Sequence, residues 1–173
     1  MAVGVKLRQA HRPLPEDAMP NGEAPGPPEA ARAVEAATWG VGGRGLILFH
    51  RFGVEIREVE GSYHQPGPAA VWFRLLTPVV AGEEPSANQR AIVAADFGNG
   101  ISRQLHPREW MFMNADLTVG LARPPAGEWV CLRASSWYSA GGRGVVAGEL
   151  YDRAGPVGRT MQTVFLEPVN PSP

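Results

Sequence analysis

The sequence E-W-V-C-L-R-A-S-S-W-Y-S-A-G-G-R-G-V-V-A-G-E-L-Y-D-R-A-G-P-V-G-R-T-M-Q-T-V-F-L-E-P occupies residues 128–168. Within it, the runs Glu128–Tyr138, Arg143–Tyr151 and Val157–Glu167 are rich in β-branched and aromatic residues, which are typical of strands. The links between these runs, S-A-G-G and D-R-A-G, are short and contain glycine. Because links of this kind join antiparallel neighbours, the sequence predicts an antiparallel sheet here.

A helix is predicted upstream of this sheet, beginning after Ser86. Ser86 and Gln89 have the spacing of a capping box, in which each side chain accepts a hydrogen bond from the other residue's backbone. Residues 91–95, A-I-V-A-A, make the helix apolar on most sides, which indicates a buried helix. Gly98-Asn99-Gly100 is expected to end it. Since such a helix needs a sheet wrapped about it, we predict an α+β fold, with a curved antiparallel sheet around one central helix.

The remaining elements are predicted with the same criteria. Further strands are expected at Leu46–Phe49, Val54–Glu60 and Val71–Thr77, and at Trp110–Met113 running into Asp116–Arg123.

The N-terminal part of the chain differs in composition from the rest. Residues 1–45 are rich in Pro, Ala and Gly, so we interpret them as a linker-like arm that can still dock on the domain. A short helix over Pro28–Ala37 is conceivable, because prolines suit a helix start. The expected division is therefore an arm, a domain over 46–168 and a tail over 169–173.

Composition excludes several classes of function. The 173 residues carry 16 Lys+Arg against 17 Asp+Glu, so no electrostatic argument favours nucleic acid or an acidic membrane as partner. One cysteine allows no internal disulfide, and the four histidines lack metal-binding spacing. No apolar run approaches the ~20 residues that cross a bilayer, and no signal-peptide pattern begins the chain. We expect a cytoplasmic protein without cofactor or metal.

Three polar residues on successive predicted strands are candidates for a site: Asp116, Ser136 and Gln162. A carboxylate, a hydroxyl and an amide among apolar neighbours can hold and deprotonate one water molecule, which would make the activity hydrolysis. Gln162 shares one strand face with Val164 and Leu166 by alternation, which favours a partly buried position. The competing interpretation is structural: Asp116 then caps a turn, and the other two are ordinary strand residues.

Three motifs give the chain a resemblance to a known family. They are A-A-D-F-G-N-G (94–100), N-A-D-L-T with R-P-P-A-G-E-W (114–129), and L-Y-D-x-x-G-x-V-G-R-x-x-Q-T (150–163). From about Gly53 to Pro168 the sequence resembles the C-terminal hotdog domain of the acyl-CoA thioesterase II (TesB-like) family. The resemblance implies a hotdog fold in which a central helix lies in a curved antiparallel sheet, the arrangement predicted above.

The resemblance also implies an activity and its residues. In that family an aspartate, a threonine or serine, and a glutamine orient the water that attacks a thioester. Motif matching assigns these roles to Asp116, Ser136 and Gln162, with Ser135 as the neighbour that a one-residue slip would select.

We therefore expect hydrolysis of acyl thioesters, carried by CoA or by an acyl carrier protein, with Asp116 as the base. The alternative function is a non-catalytic hotdog subunit that binds acyl groups or serves in assembly. Family members usually carry two hotdog domains, whereas this chain has room for one. Because a single hotdog leaves a long sheet edge open, we predict a homodimer that rebuilds the double arrangement.

Overall fold

The computed structural model describes residues 2–5, 15, 18, 24–34 and 49–169. The elements follow in chain order: β1 (Arg32–Ala33), α1 (Phe49–Phe52), β2 (Val54–Glu60), β3 (Ala69–Leu75), α2 (Ala87–Asp96), α3 (Gly98–Ser102), β4 (Trp110–Asn114), β5 (Thr118–Leu121), β6 (Trp129–Ser139), β7 (Arg143–Asp152) and β8 (Gly155–Pro168).

One antiparallel sheet contains all eight of these strands. Its order is β1-β2-β3-β6-β7-β8-β4, and β5 lies beside β4 on the same edge, where both pair with β8. The hairpin between β6 and β7 turns at Gly142, whose φ of +71° favours glycine over residues with a side chain. The antiparallel sheet predicted from residues 128–168 is confirmed.

The central helix α2 begins where the sequence predicts. The Ser86 side chain accepts a hydrogen bond from the Gln89 N–H at 3.2 Å, and the Gln89 side chain accepts one from the Ser86 N–H at 2.7 Å. Two expectations are wrong in detail. Ile92 is 50% exposed, so one side of the helix faces away from the core. The α2 helix ends at Asp96, and Gly98-Asn99-Gly100 begin α3 instead of ending the helical segment, because Phe97 keeps a right-handed conformation.

Three other sequence-based expectations require correction or fall outside the described residues. The predicted run from Trp110 to Arg123 is two strands, interrupted at residues 115–117. Residues 28–30 form a turn before β1, so the helix considered for Pro28–Ala37 is wrong for residues 28–34. Residues 35–37 lie outside the described residues. The strand expected over Leu46–Phe49 falls largely on residues 46–48, also outside it, and Phe49 begins α1.

The two faces of the sheet carry separate apolar clusters. The helix-facing cluster joins α2 and α3 to the inward side chains of the strands, and Phe73 of β3 stacks on Phe97 with ring centroids 4.6 Å apart. On the outer face, Trp72 and Trp129 pack with Ala24 and other residues of the N-terminal arm. The Trp72 indole N–H donates to the Gly26 carbonyl at 2.7 Å. The described part of the arm therefore docks on the domain.

Cys131 belongs to the outer-face cluster and is fully buried. Burial raises the pKa of its thiol to about 12. Because a thiol attacks as thiolate, this cysteine does not supply a nucleophile at neutral pH.

Candidate active site

Gln162 is buried on the helix-facing side of β8, beneath the junction of α2 and α3. Its Oε1 accepts a hydrogen bond from the backbone N–H of Asn99 at 3.1 Å, and its Nε2 donates to the backbone carbonyl of Asp96 at 3.3 Å. Because one partner is a donor and the other an acceptor, the two contacts define the orientation of the amide. The helix junction thus holds Gln162 in place.

Asp96 and Asn114 lie beside Gln162 at this junction. Asp96 is the last residue of α2 and Asn114 the last of β4. The Asn114 Nδ2 donates to the Asp96 Oδ1 at 3.4 Å, and both residues are exposed. Asp96 therefore contacts Gln162 through its main chain and Asn114 through its carboxylate. We call these three residues the Asp96 cluster; it contains one carboxylate and two side-chain amides.

Asp116 lies nearby, in the interruption between β4 and β5, and contacts the strand backbone. Its Oδ1 accepts the Thr163 N–H at 2.7 Å, and its Oδ2 accepts the Thr163 hydroxyl at 3.3 Å. In the interruption between β4 and β5, the Asp116 carboxylate thus accepts the hydrogen bond of the Thr163 N–H in β8. Asp116 is exposed, and it makes no hydrogen bond to Gln162 or Ser136 among the described residues.

Ser136 is buried in β6 and binds the end of α3. Its Oγ lies 2.6 Å from the Oγ of Ser102, which itself donates to the Gly98 carbonyl at 2.8 Å. Since the Ser102 hydroxyl has one proton, Ser136 must be the donor in the serine pair. In the sheet, Ser136 pairs with Val146 and Val146 pairs with Gln162. The backbones of Ser136 and Gln162 are therefore about 10 Å apart.

The three residues predicted from sequence thus lie in neighbouring parts of the same sheet, but their side chains are not joined by hydrogen bonds. The structure instead joins Gln162 and Asn114 through Asp96. Sequence reasoning missed both residues as functional groups, although both lie inside motifs that carry the family resemblance. The available signal was a carboxylate at the end of an apolar helix.

Gly98 lets the helix junction approach Gln162 closely. A Cβ at this position would lie 2.7 Å from the Gln162 Oε1 and 3.3 Å from the Val146 Cγ1. Both neighbouring side chains are 1% exposed, so neither can move freely. The absence of a side chain at position 98 is therefore a requirement for this position of the Gln162 amide.

We predict that Gly98→Ala displaces the Gln162 amide and lowers kcat for the reaction proposed below by about tenfold, because small misplacements of a positioning group slow the chemical step. Initial rates and thermal unfolding would be measured together. Gly120→Ala is the control, since a Cβ there meets nothing within 4 Å. A Gly98→Ala protein with full activity would contradict the positioning role.

The R-P-P and Y-D-x-x-G motifs contact each other at the opposite end of the sheet. Arg123 donates to both carboxylate oxygens of Asp152, with its Nη2 at 2.7 Å from Oδ1. The same carboxylate accepts the N–H groups of Ala126 at 2.7 Å and Ala154 at 2.8 Å. Asp152 therefore connects the turn before β6 to the turn between β7 and β8, and this part of the resemblance is structural.

No group of three His, Cys, Asp or Glu side chains suited to a metal ion occurs among the residues that the structure describes. In the same residues, no helix is long and apolar enough to cross a membrane.

Comparison with known proteins identifies the family. The family model of the acyl-CoA thioesterase C-terminal domain matches residues 15–166. The chain belongs to this family. The TesB-like resemblance of the sequence is confirmed by the match. The matched residues include most of the N-terminal arm together with the sheet.

Solved structures agree on the fold of this thioesterase-family chain. The acyl-CoA thioesterase II TesB2 of Mycobacterium marinum is 19% identical to this chain. The match covers 95% of this chain and 61% of the TesB2 chain, with a TM-score of 0.58. A hotdog-fold protein of unknown function from Alicyclobacillus acidocaldarius is 15% identical. That match covers 92% of this chain and 58% of the other protein, with a TM-score of 0.62. The predicted hotdog fold is confirmed. The chain spans about three fifths of these two proteins. A comparison with curated proteins gave no match.

Proposed function

We propose that this domain hydrolyses acyl thioesters by activating a water molecule at the Asp96 cluster. The observation that supports this proposal is that Asp96, at the end of α2, joins two amides: its carboxylate accepts from Asn114 and its main-chain carbonyl accepts from Gln162. A carboxylate can accept a proton from water, and the amides can bind the water and direct its lone pair. Membership of a thioesterase family supports the same reaction class.

The proposed reaction needs no co-reactant besides water. The water oxygen bonds to the thioester carbonyl carbon while one water proton passes to the Asp96 carboxylate. The carbonyl electrons move onto the carbonyl oxygen and then return as the carbon–sulfur bond breaks. The departing thiolate takes the proton from Asp96, so the products are a carboxylic acid and a free thiol, and the carboxylate is restored.

Asp116, the base expected from sequence, remains the second candidate carboxylate. Its contacts with Thr163 favour a structural role, because both of its oxygens already accept hydrogen bonds. Ser136 would act only indirectly, through its contact with Ser102. Asparagine substitutions at the two positions distinguish Asp96 from Asp116 as the base.

The family match supports a substrate class for the proposed reaction. The family description names acyl-CoA, and we propose a thioester of CoA or of an acyl carrier protein as substrate. The test is thiol release from purified protein over acyl-CoA esters of increasing chain length, with the matching acyl-carrier-protein esters in parallel. Hydrolysis of at least one series is expected. No thiol release from any ester would reject the proposal.

A non-catalytic acyl-binding or assembly role is the second candidate function. It is kept beside hydrolysis because the chain spans about three fifths of these two solved relatives, so the activity of a whole relative is only a proposal for this domain. In that case an acyl-CoA would raise the unfolding temperature without being hydrolysed, since a ligand stabilises the state that binds it.

We also propose a homodimer that pairs along the open edge of the sheet. In the described part of the chain, β4 and β5 pair only with β8, which leaves the outer edge of both strands open. Asn114 lies on this edge and Asp96 beside it, both exposed, so a second copy paired there would cover the site. Sedimentation at micromolar concentration should give a dimer; a monomer that hydrolyses thioesters would contradict this assembly.

A further inference from the structure

Asn99 is a buried polar residue that the proposed reaction has not yet used. It lies in α3, three residues after Asp96, and is 7% exposed. Its backbone N–H donates to the Oε1 of Gln162 at 3.1 Å. Asn99 is therefore in direct contact with the Asp96 cluster, although no motif argument marked its side chain as functional.

The side chain of Asn99 is bonded on one side only. Its Oδ1 accepts the hydroxyl of Tyr138 at 2.8 Å, while its Nδ2 has no hydrogen-bond partner among the described residues. Burial raises the pKa of Tyr138, so this hydroxyl is neutral and donates at physiological pH. Because the donor from Tyr138 must meet the oxygen, the contact determines which end of the amide carries the two free N–H groups.

The Nδ2 atom of Asn99 has no hydrogen-bond partner among the described residues but is not fully buried, so a bound molecule can reach it. Most buried polar side chains of the site are satisfied. Gln162 bonds to the helix junction, and Ser136 bonds to Ser102. The Nδ2 of Asn99 is thus a donor next to the Asp96 cluster that no described residue uses and that a bound substrate can take.

We propose that the Nδ2 of Asn99 donates a hydrogen bond to the carbonyl oxygen of the thioester, and that the Tyr138 hydroxyl orients it. This inference rests on the proposed hydrolysis. As the water oxygen adds to the carbonyl carbon, negative charge develops on the carbonyl oxygen, and a pre-oriented N–H stabilises that charge more than it stabilises the neutral substrate. Asn99 is then a catalytic residue and Tyr138 a positioning residue.

The decisive variant is Asn99→Asp, which keeps an oxygen for the Tyr138 hydroxyl and removes the Nδ2 donor. We expect kcat to fall about 100-fold with KM nearly unchanged, as for other losses of one oxyanion donor. Asn99→Ala should show a loss of the same order, which separates the missing donor from the charge introduced by Asp. Thermal unfolding would show that both variants fold.

Tyr138 is tested through its dependence on Asn99. Tyr138→Phe should lower kcat several-fold, but Tyr138→Phe combined with Asn99→Ala should be no slower than Asn99→Ala alone, because the hydroxyl acts only through that amide. Tyr151→Phe is the matched control: it removes a hydroxyl bound to Glu149, outside this site, and should leave kcat unchanged. Asn99 variants within twofold of the wild-type kcat, or additive Tyr138 and Asn99 losses, would overturn the inference.

A second measurement separates this inference from the proposed function. If the wild-type protein hydrolyses no thioester, the proposed function fails. The donor is then examined with a 2-oxoalkyl-CoA, a thioether whose ketone keeps a carbonyl oxygen. Saturation with it should shift the Asn99 side-chain NH₂ signals, assigned by their loss in Asn99→Asp, and Tyr138→Phe should weaken that shift. No binding, or binding without the shift, would overturn the inference.

Discussion

Asp96→Asn is expected to lower kcat for thioester hydrolysis by about 10³-fold, within the range that general bases contribute. The amide that replaces the carboxylate cannot take a proton from water. It can still accept the 3.4 Å hydrogen bond from Asn114, and the backbone carbonyl that binds Gln162 is unchanged. The loss should therefore appear in kcat, with the unfolding temperature close to that of the wild-type protein.

Asp116→Asn is the matched control for this experiment. It makes the same chemical change two residues from Asn114, and its remaining oxygen can still accept the Thr163 N–H. We expect the fold-loss of kcat to be less than about a tenth of that for Asp96→Asn, because replacing one acceptor oxygen at an exposed contact has small effects. The reverse result, an inactive Asp116→Asn and an active Asp96→Asn, would identify Asp116 as the base and return the site to the residues expected from sequence.

The sequence was sufficient for the sheet and the central helix because each depends on local signals. Alternation along β8 correctly predicted that Gln162 faces a buried surface, and the capping box correctly predicted that α2 begins after Ser86. These features depend on side-chain period and capping chemistry, which are properties of short segments. The continuation into α3 was not predictable in the same way, since Gly98-Asn99-Gly100 is also a usual end of a helix.

The site was harder to predict because it depends on long-range contacts. Asp116 has the residue type of a base, but the interruption between β4 and β5 directs its carboxylate to Thr163. Asp96 has the position of an ordinary solvated residue at a helix end. Its proposed role depends on Asn114 of β4 and Gln162 of β8, two residues that follow it in the sequence and contact it only in the folded chain. No periodicity in one segment predicts that convergence.

Asp152→Ala should lower the free energy of unfolding by about 3 kcal/mol, the low end of the range for breaking a buried ion pair. Asp152 is 1% exposed and holds Arg123 together with the N–H groups of Ala126 and Ala154. Its removal leaves these donors without an acceptor, at a cost of about 1–3 kcal/mol for each group that water cannot reach. The Arg123 side chain is 36% exposed, so water relieves part of the loss.

Glu60→Ala is the matched control, because it breaks an ion pair with Arg133 in which both side chains are more than a third exposed. Such pairs contribute about 0–1 kcal/mol, so urea unfolding should separate the two variants clearly. Equal losses would show that the motifs joined by Asp152 do not hold the two turns together.

The stability contributed by Asp152 should also depend on pH. Burial alone would raise the pKa of this carboxyl, but the hydrogen bonds from Arg123 and from the N–H groups of Ala126 and Ala154 outweigh it and lower the pKa. A lowered pKa in the folded state means that the contribution is fully present above the pKa of the unfolded chain, about 3.9. The contribution is lost as the pH falls through the pKa that Asp152 has in the folded protein. The stability difference between the wild-type protein and Asp152→Ala should therefore be constant near neutral pH and shrink only below about pH 4. A difference that shrinks already between pH 7 and 5 would mean that another group carries the effect.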